Sequence, residues 1–182
     1  MLKNKIYLIL QSLIFLIPIN LYIIGDWLGS GIQTLFFRYH ETTLGNSLIF
    51  LNREMAFVLN GTLSGKSAYA SIIWCFGVIL ICIATLVILF AYFKEENRFI
   101  NYGVFLNLGG ALLFTIAIII QYGITFHGPA GIAIPLGIPV ILGVAYFQYR
   151  SAMNEIADDQ EDEEVGENTL PDDSVNAEAE NS

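Results

Sequence analysis

The sequence predicts an all-α integral membrane protein: a four-transmembrane-helix bundle with a partly helical outer loop and a disordered acidic C-terminal tail. The chain has 182 residues, of which 55% are hydrophobic and only 14% are charged. A soluble domain of this length rarely combines so many apolar residues with so few charges. Most of the apolar residues fall in four stretches without acidic, basic or histidine side chains, namely residues 6–24, 72–93, 102–122 and 132–149.

The length of these stretches favours helices. Each contains about 18 to 22 residues, and about 20 residues of α-helix cross a hydrocarbon core of about 30 Å. Backbone polar groups in lipid must be satisfied within the chain, and the strands of a closed barrel would alternate in polarity over about ten residues. No such alternation occurs in the four stretches. The sequence therefore predicts four spans within one transmembrane domain, residues 1–153.

The first stretch follows Lys3 and Lys5, as the core of a secretory signal would. Its apolar run is longer than the usual core of about 7–15 residues, so we expect an uncleaved signal anchor. Gln11 and Asn20 lie within this stretch. We expect their side-chain amides to form hydrogen bonds with neighbouring helices.

The distribution of basic residues predicts the orientation in the cell membrane. Five of them lie at the N-terminus, in the link between the second and third stretches, or after the fourth stretch: Lys3, Lys5, Lys94, Arg98 and Arg150. The outer loop, residues 25–71, carries three, which are Arg38, Arg53 and Lys66. Basic residues near span ends favour the cytoplasmic side. Both termini are therefore predicted to be cytoplasmic, and the protein to be multi-pass.

The outer loop is too long and too apolar to be a plain connector. Its segments 32–39 and 44–59 contain many large hydrophobic residues, and we expect them to form helices that lie on the membrane surface or on the other helices. A β-hairpin that turns at Asn60-Gly61 is the alternative. Asn60-Gly61-Thr62 also matches the N-glycosylation sequon, so Asn60 is a candidate glycosylation site.

Small side chains recur every seven residues in and around the second and third stretches. They form one stripe on each predicted helix, and such stripes let two helix backbones approach closely in lipid. The link at residues 94–98 is short enough to make the two helices antiparallel neighbours. We therefore predict a tight helix pair that packs through Ala70, Gly77, Ala84 and Ala91 on one side and Gly103, Gly110 and Ala117 on the other.

Two prolines interrupt the fourth stretch. Pro135 and Pro139 are four residues apart, and a proline inside a helix removes a backbone hydrogen bond and crowds the preceding turn. The sequence therefore predicts a kink in the fourth helix. A packing kink is the expected role, and the alternative is a broken helix that binds ions or substrates in a transporter.

Acidic residues are concentrated in the predicted tail, residues 154–182. Twelve of the 17 acidic residues lie between Glu155 and Glu180, with no lysine or arginine among them. The formal net charge of −9 therefore belongs to the tail, and the rest of the chain carries about +3. The tail has no aromatic residue and cannot bury enough apolar surface to offset its ordering entropy, so it is predicted to be disordered.

No catalytic, cofactor-binding or metal site is predicted. The ligand candidates on the outer side are His40, His127, Asp26 and Glu54, and no two of them have the helical i, i+3 or i, i+4 spacing of a metal site. The two cysteines, Cys75 and Cys82, lie seven residues apart, which fits small apolar residues of one helix. The chain lacks the motifs of zinc proteases, serine hydrolases and nucleotide-binding loops. No basic patch with interleaved aromatic residues indicates nucleic-acid binding.

The favoured hypothesis for function is a small, non-enzymatic accessory, assembly or sensing subunit. Its expected partners are the lipid bilayer and a protein that contacts the outer loop or the acidic tail. A channel or transporter component is the first alternative, based on the fourth helix and on amides such as Asn20, Asn107 and Gln121. A membrane enzyme that uses His40, His127 and the acidic residues of the outer side is the second.

Overall fold

The computed structural model describes residues 2–25, 27–94 and 98–167. These residues form five α-helices and one six-stranded antiparallel sheet. In chain order the elements are α1 Leu2–Leu16, β1 Asn20–Ile24, β2 Gly29–Gln33, β3 Phe37–Thr42, β4 Gly45–Phe50, α2 Leu51–Leu59, α3 Gly65–Lys94, α4 Arg98–Tyr122, β5 His127–Gly128, β6 Gly131–Ile134 and α5 Gly137–Glu167.

The prediction of an all-α four-transmembrane-helix bundle is wrong. The fold is mixed α/β, and within the described residues only α3 and α4 are long and apolar enough to cross a membrane. The stretch at 6–24 is divided between α1, which ends at Leu16, and β1. Helix α1 ends there because the residue before Pro18 is sterically disfavoured in helical conformation.

The fourth apolar stretch is divided in the same way. Its first residues form strand β6, and α5 begins only at Gly137. Pro135 lies in the connection before α5, and Pro139 lies in its first turn, where a proline costs no intrahelical hydrogen bond. Neither proline therefore produces the predicted kink in a helix interior.

The C-terminal part of α5 enters the predicted tail. The backbone remains helical as far as Glu167, so residues 154–167 continue the helix. Residues 168–182 lie outside the described part of the chain, and their disorder stays a prediction.

The outer loop forms most of the sheet instead of surface helices. The strand order is β4-β3-β2-β1-β6-β5, and only α2 is helical between β4 and α3. The β3–β4 hairpin turns between Thr42 and Gly45, which are paired in register, and not at Asn60-Gly61. Because β6 follows α4 in sequence but pairs with β1, the sheet joins the two halves of the chain.

Helices α3 and α4 pack closely along their length. A Cβ atom added at Gly77 would lie 2.7 Å from the Phe114 ring, and one added at Gly110 would lie 2.7 Å from Ile81 Cδ1. Helices α1 and α5 contact this pair and each other. The sheet covers the end of the helices at which α4 finishes, since the Tyr22 and Tyr122 rings are 6.3 Å apart.

Candidate functional site

The inner face of the sheet, which faces the helices, is polar. Side chains alternate between the two faces of a strand, and the register aligns Asn20 with Gln33 and Gln33 with Arg38. The same register places Tyr22, Gly31 and His40 in the neighbouring row. The inner face thus carries five polar side chains from three adjacent strands: Asn20, Tyr22, Gln33, Arg38 and His40.

Arg38, Glu54 and Ser71 form a polar cluster between the sheet and the helices. Arg38 Nη2 lies 2.9 Å from Glu54 Oε1, and the Ser71 hydroxyl donates a hydrogen bond of 2.5 Å to the same carboxylate oxygen. Glu54 is only 6% exposed and Ser71 only 1%. Since the three residues belong to β3, α2 and α3, the cluster fixes α2 between the sheet and α3.

Tyr22 and His40 form a second pair on the inner face. Their atoms Oη and Nδ1 are 2.7 Å apart, and the Tyr22 hydroxyl also donates to the Tyr39 carbonyl oxygen at 3.1 Å. Burial raises the pKa of Tyr22, and burial together with Arg38 lowers the pKa of His40. Gly31 is required beneath this pair, because a Cβ atom there would collide with the Tyr22 hydroxyl and the Tyr39 carbonyl oxygen.

The space beside this cluster is too small for an organic substrate. A cavity of about 10 Å³ lies between the sheet and the helices, lined by Gln33, Arg38 and Trp74 together with the end of α4. That volume corresponds to about one water molecule. Ser71 is bonded to a carboxylate already paired with Arg38, and no histidine touches it among the contacts of the described residues. The arrangement therefore supports a structural role for these groups.

A second polar group lies in the interior of the helices. Gln11 and Asn107 exchange hydrogen bonds, Gln11 also donates to Thr85, and Asn107 donates to Gln148. The three amides are completely buried. They come from α1, α4 and α5, and Thr85 comes from α3, so the network connects four helices. Asn20 is equally buried, but neither amide atom has a hydrogen-bond partner among the described residues.

The structure buries all seven small residues of the predicted stripes: Ala70, Gly77, Ala84, Ala91, Gly103, Gly110 and Ala117. The three glycines lie against the partner helix of the α3–α4 pair, with Gly103 next to Ile88. Asn60 caps the C-terminus of α2 and is exposed.

The candidate metal ligands are not brought together. Glu54 pairs with Arg38, His40 pairs with Tyr22, and His127 lies on the exposed edge strand β5. Asp26 lies outside the described residues. Within the described residues, no three histidine, cysteine, aspartate or glutamate side chains form a metal-binding group.

The outer face of the sheet, which points away from the helices, forms an open apolar groove. Its volume is about 430 Å³, and apolar side chains of β1, β2, β3 and β6 line it: Leu21, Ile23, Ile32, Tyr39 and Ile134. Glu41 lies at its rim and is the single charged residue on this face of the described strands. The sequence does not predict this surface, because the residues of β1 and β6 belong to long apolar stretches that predict membrane-spanning helices.

The sequence comparisons identify no family. No known protein-family model matches the chain, and no curated protein is significantly similar to it. The functional argument therefore rests on the geometry described above.

Proposed function

We propose that this chain is a non-enzymatic, multi-pass membrane protein that serves as an accessory or assembly subunit. In this proposal the α3–α4 hairpin is embedded in the bilayer, and the sheet lies outside it and binds a protein partner. The observation that carries the proposal is the outer groove, an open apolar surface of about 430 Å³. The inner face of the same sheet contains the Arg38–Glu54 and Tyr22–His40 pairs and encloses a cavity of only about 10 Å³.

The surface of the helices supports membrane embedding. Large apolar side chains point outward along α3 and α4, with Leu86 63%, Phe105 72% and Leu112 60% exposed. The buried amides of the Gln11 network occupy the interior instead. Apolar residues outside and hydrogen-bonded polar residues inside suit a lipid environment, because an exposed apolar surface of this extent is rare in a soluble monomer.

The charge distribution supports an orientation in the cell membrane. Lys94 and Arg98 flank the link between α3 and α4, at the end of the hairpin opposite the sheet. Arg150 lies more than three turns after the start of α5 at the sheet. By the positive-inside tendency this end, with both chain termini, is cytoplasmic and the sheet is external.

The partner is a protein surface that combines apolar side chains with a basic group. The outer groove would be covered by the apolar side chains, and the basic group would meet Glu41 at its rim. A sheet face in water that exposes aliphatic side chains gains free energy when they are covered, about 25 cal/mol per Å². The acidic tail stays a second predicted contact for a protein partner.

Membrane embedding is tested by alkaline carbonate extraction of cell membranes. The full chain should remain in the membrane pellet. Labelling of intact cells should modify a cysteine introduced at Ser64, beside the sheet, but not one introduced at Glu96. Recovery of the chain in the carbonate supernatant would refute embedding.

Partner binding is tested with a photoreactive amino acid at Ile32 on the outer groove. Irradiated cells should give one discrete adduct with another protein, and Glu41→Lys should strongly reduce it by repelling the basic group. A photoreactive group at Tyr69, which is 66% exposed on α3, is the matched control. Adducts only with a second copy of the chain, or equal adducts at both positions, would refute the partner proposal.

The alternative functions have less support. The transporter hypothesis relied on a broken fourth helix, but both prolines precede or begin α5. Asn107 is engaged in the buried amide network. The enzyme hypothesis relied on His40 and His127, which do not share a site with each other.

A further inference from the structure

A groove lies between α4 and α5 near the predicted cytoplasmic end. Its volume is about 390 Å³. Val104 and Ala145 are buried and form its floor, and Phe105, Leu108 and Tyr146 form its walls. The groove extends from Asn101 to Leu108 along α4, which is about 10 Å at 1.5 Å per residue.

One end of this groove is polar. Asn101 lines the groove at this end, and its Oδ1 atom accepts no hydrogen bond from the described residues. Tyr149 lies at the same end. Arg150 is exposed and follows Tyr146 by four residues, so it is one turn further along the same side of α5. The groove therefore combines an apolar floor, an unsatisfied acceptor and a nearby cation.

We propose that this α4–α5 groove binds an acyl chain of an anionic phospholipid with a hydroxyl-bearing headgroup, such as phosphatidylglycerol. The inference rests on the proposed membrane embedding. The acyl chain covers Val104 and Ala145, a headgroup hydroxyl donates to Asn101 Oδ1, and the phosphate pairs with Arg150. Basic side chains at a membrane surface attract anionic lipids in this way.

The position of the groove favours a lipid chain as its occupant. Its walls also face outward from the helices, with Phe105 72% and Tyr146 56% exposed, so lipid is the molecule that meets this groove when the helices are embedded in a bilayer. The polar end selects among lipids. A phosphatidylcholine headgroup has no hydrogen-bond donor for Asn101, and its positive charge opposes Arg150.

Native mass spectrometry of the detergent-purified full chain tests the proposal, with phosphatidylglycerol and phosphatidylcholine as probes. We expect one phosphatidylglycerol to bind about tenfold more tightly than phosphatidylcholine, which corresponds to one charge-assisted interaction. Leu108→Trp should fill the groove and remove this preferred binding. Leu112→Trp, one turn further along α4 and outside the groove, should bind lipid as the parent chain does.

A second variant separates headgroup recognition from groove shape. Asn101→Leu should reduce the preference for phosphatidylglycerol while the chain still binds lipid. Equal binding of both lipids by the parent chain, or undiminished binding by Leu108→Trp with an unchanged melting temperature, would overturn the proposal. Carbonate extraction separates failure of the lipid site from failure of the proposed function. A chain that stays in the membrane but binds no phosphatidylglycerol refutes only the lipid site. A chain that carbonate releases from the membrane refutes the proposed function.

Discussion

Gln11 and Asn107 bind each other through two reciprocal hydrogen bonds although they are 96 residues apart in sequence. Gln11 Nε2 donates to Asn107 Oδ1 at 3.1 Å, and Asn107 Nδ2 donates to Gln11 Oε1 at 2.8 Å. A paired arrangement of amides specifies both the rotation and the height of α1 against α4. Apolar contacts alone leave these two parameters less defined, because they are not directional.

Asn107→Leu should destabilise the protein, because it removes three hydrogen bonds of the buried amide network. It leaves the side chains of Gln11 and Gln148 buried with fewer partners, and each unsatisfied group costs about 1–3 kcal/mol. Thermal unfolding in a mild detergent should show a clear decrease in melting temperature. Asn20→Leu is the matched control, because this amide is equally buried but has no described partner. It should leave the melting temperature unchanged or raise it. Equal losses in both variants would contradict the assigned roles.

Glu54→Leu should release α2 from the sheet. The change leaves Arg38 without its carboxylate partner, and breaking a buried ion pair costs about 3–5 kcal/mol. Arg38 is 20% exposed, so solvent reduces this cost and the lower part of the range is expected. Limited proteolysis near α2 should accelerate. The double variant Arg38→Met with Glu54→Leu should recover much of the stability, and failure to recover any would argue against the pair as the cause.

Gly110→Leu should separate α3 from α4. Even a Cβ atom at this position would lie 2.7 Å from Ile81 Cδ1 and 3.4 Å from the Gly77 carbonyl oxygen. Overpacking of this kind costs about 1–3 kcal/mol. Gly143→Ala is the control, since a Cβ atom there meets nothing within 4 Å, and it should be neutral or stabilising in thermal unfolding. A Gly110→Leu variant as stable as the parent chain would contradict the close approach.

The sequence predicts the helices of this fold better than its strands, for physical reasons. The stretches 72–93 and 102–122 lie inside α3 and α4, because long uncharged runs favour helices in lipid. The sequence does not predict strand β1, because Asn20–Ile24 continues the apolar run that begins in α1. A signal for β3 was present: aromatic and polar side chains alternate over Phe37–His40, and period-two alternation predicts a half-buried strand.

The contacts on the polar inner face of the sheet could not be predicted from the sequence. Arg38, Glu54 and Ser71 belong to three elements, and their meeting depends on the strand register and on the position of α2. The spacing of His40, Glu54 and the other outer-side candidates predicts no metal site, but it does not indicate the partner of Glu54 either. In the structure Glu54 pairs with Arg38, because a buried carboxylate gains a charge-assisted hydrogen bond from the guanidinium.

His40 should make stability depend on pH below neutrality. Its folded-state pKa is lowered from 6.5 by burial and by Arg38, partly offset by Glu54, so the unfolded chain binds a proton more readily than the folded chain. The free energy of unfolding should therefore be constant above about pH 6.5 and decrease as the pH falls toward the folded-state pKa. The measurement is denaturant unfolding in detergent between pH 5 and pH 8.

The control for this pH dependence compares two histidine variants. His40→Gln should flatten the decrease below about pH 6.5, since the neutral amide no longer takes up a proton on unfolding. His127→Gln changes a histidine on the exposed strand β5 and should retain the decrease of the parent chain.

Tyr22→Phe removes the hydroxyl that lies 2.7 Å from His40 Nδ1 and tests whether burial or this hydrogen bond sets the slope of stability against pH. Because burial is the largest cause of the lowered pKa, the slope should persist in Tyr22→Phe. A flat profile in that variant would instead assign the effect to the hydroxyl.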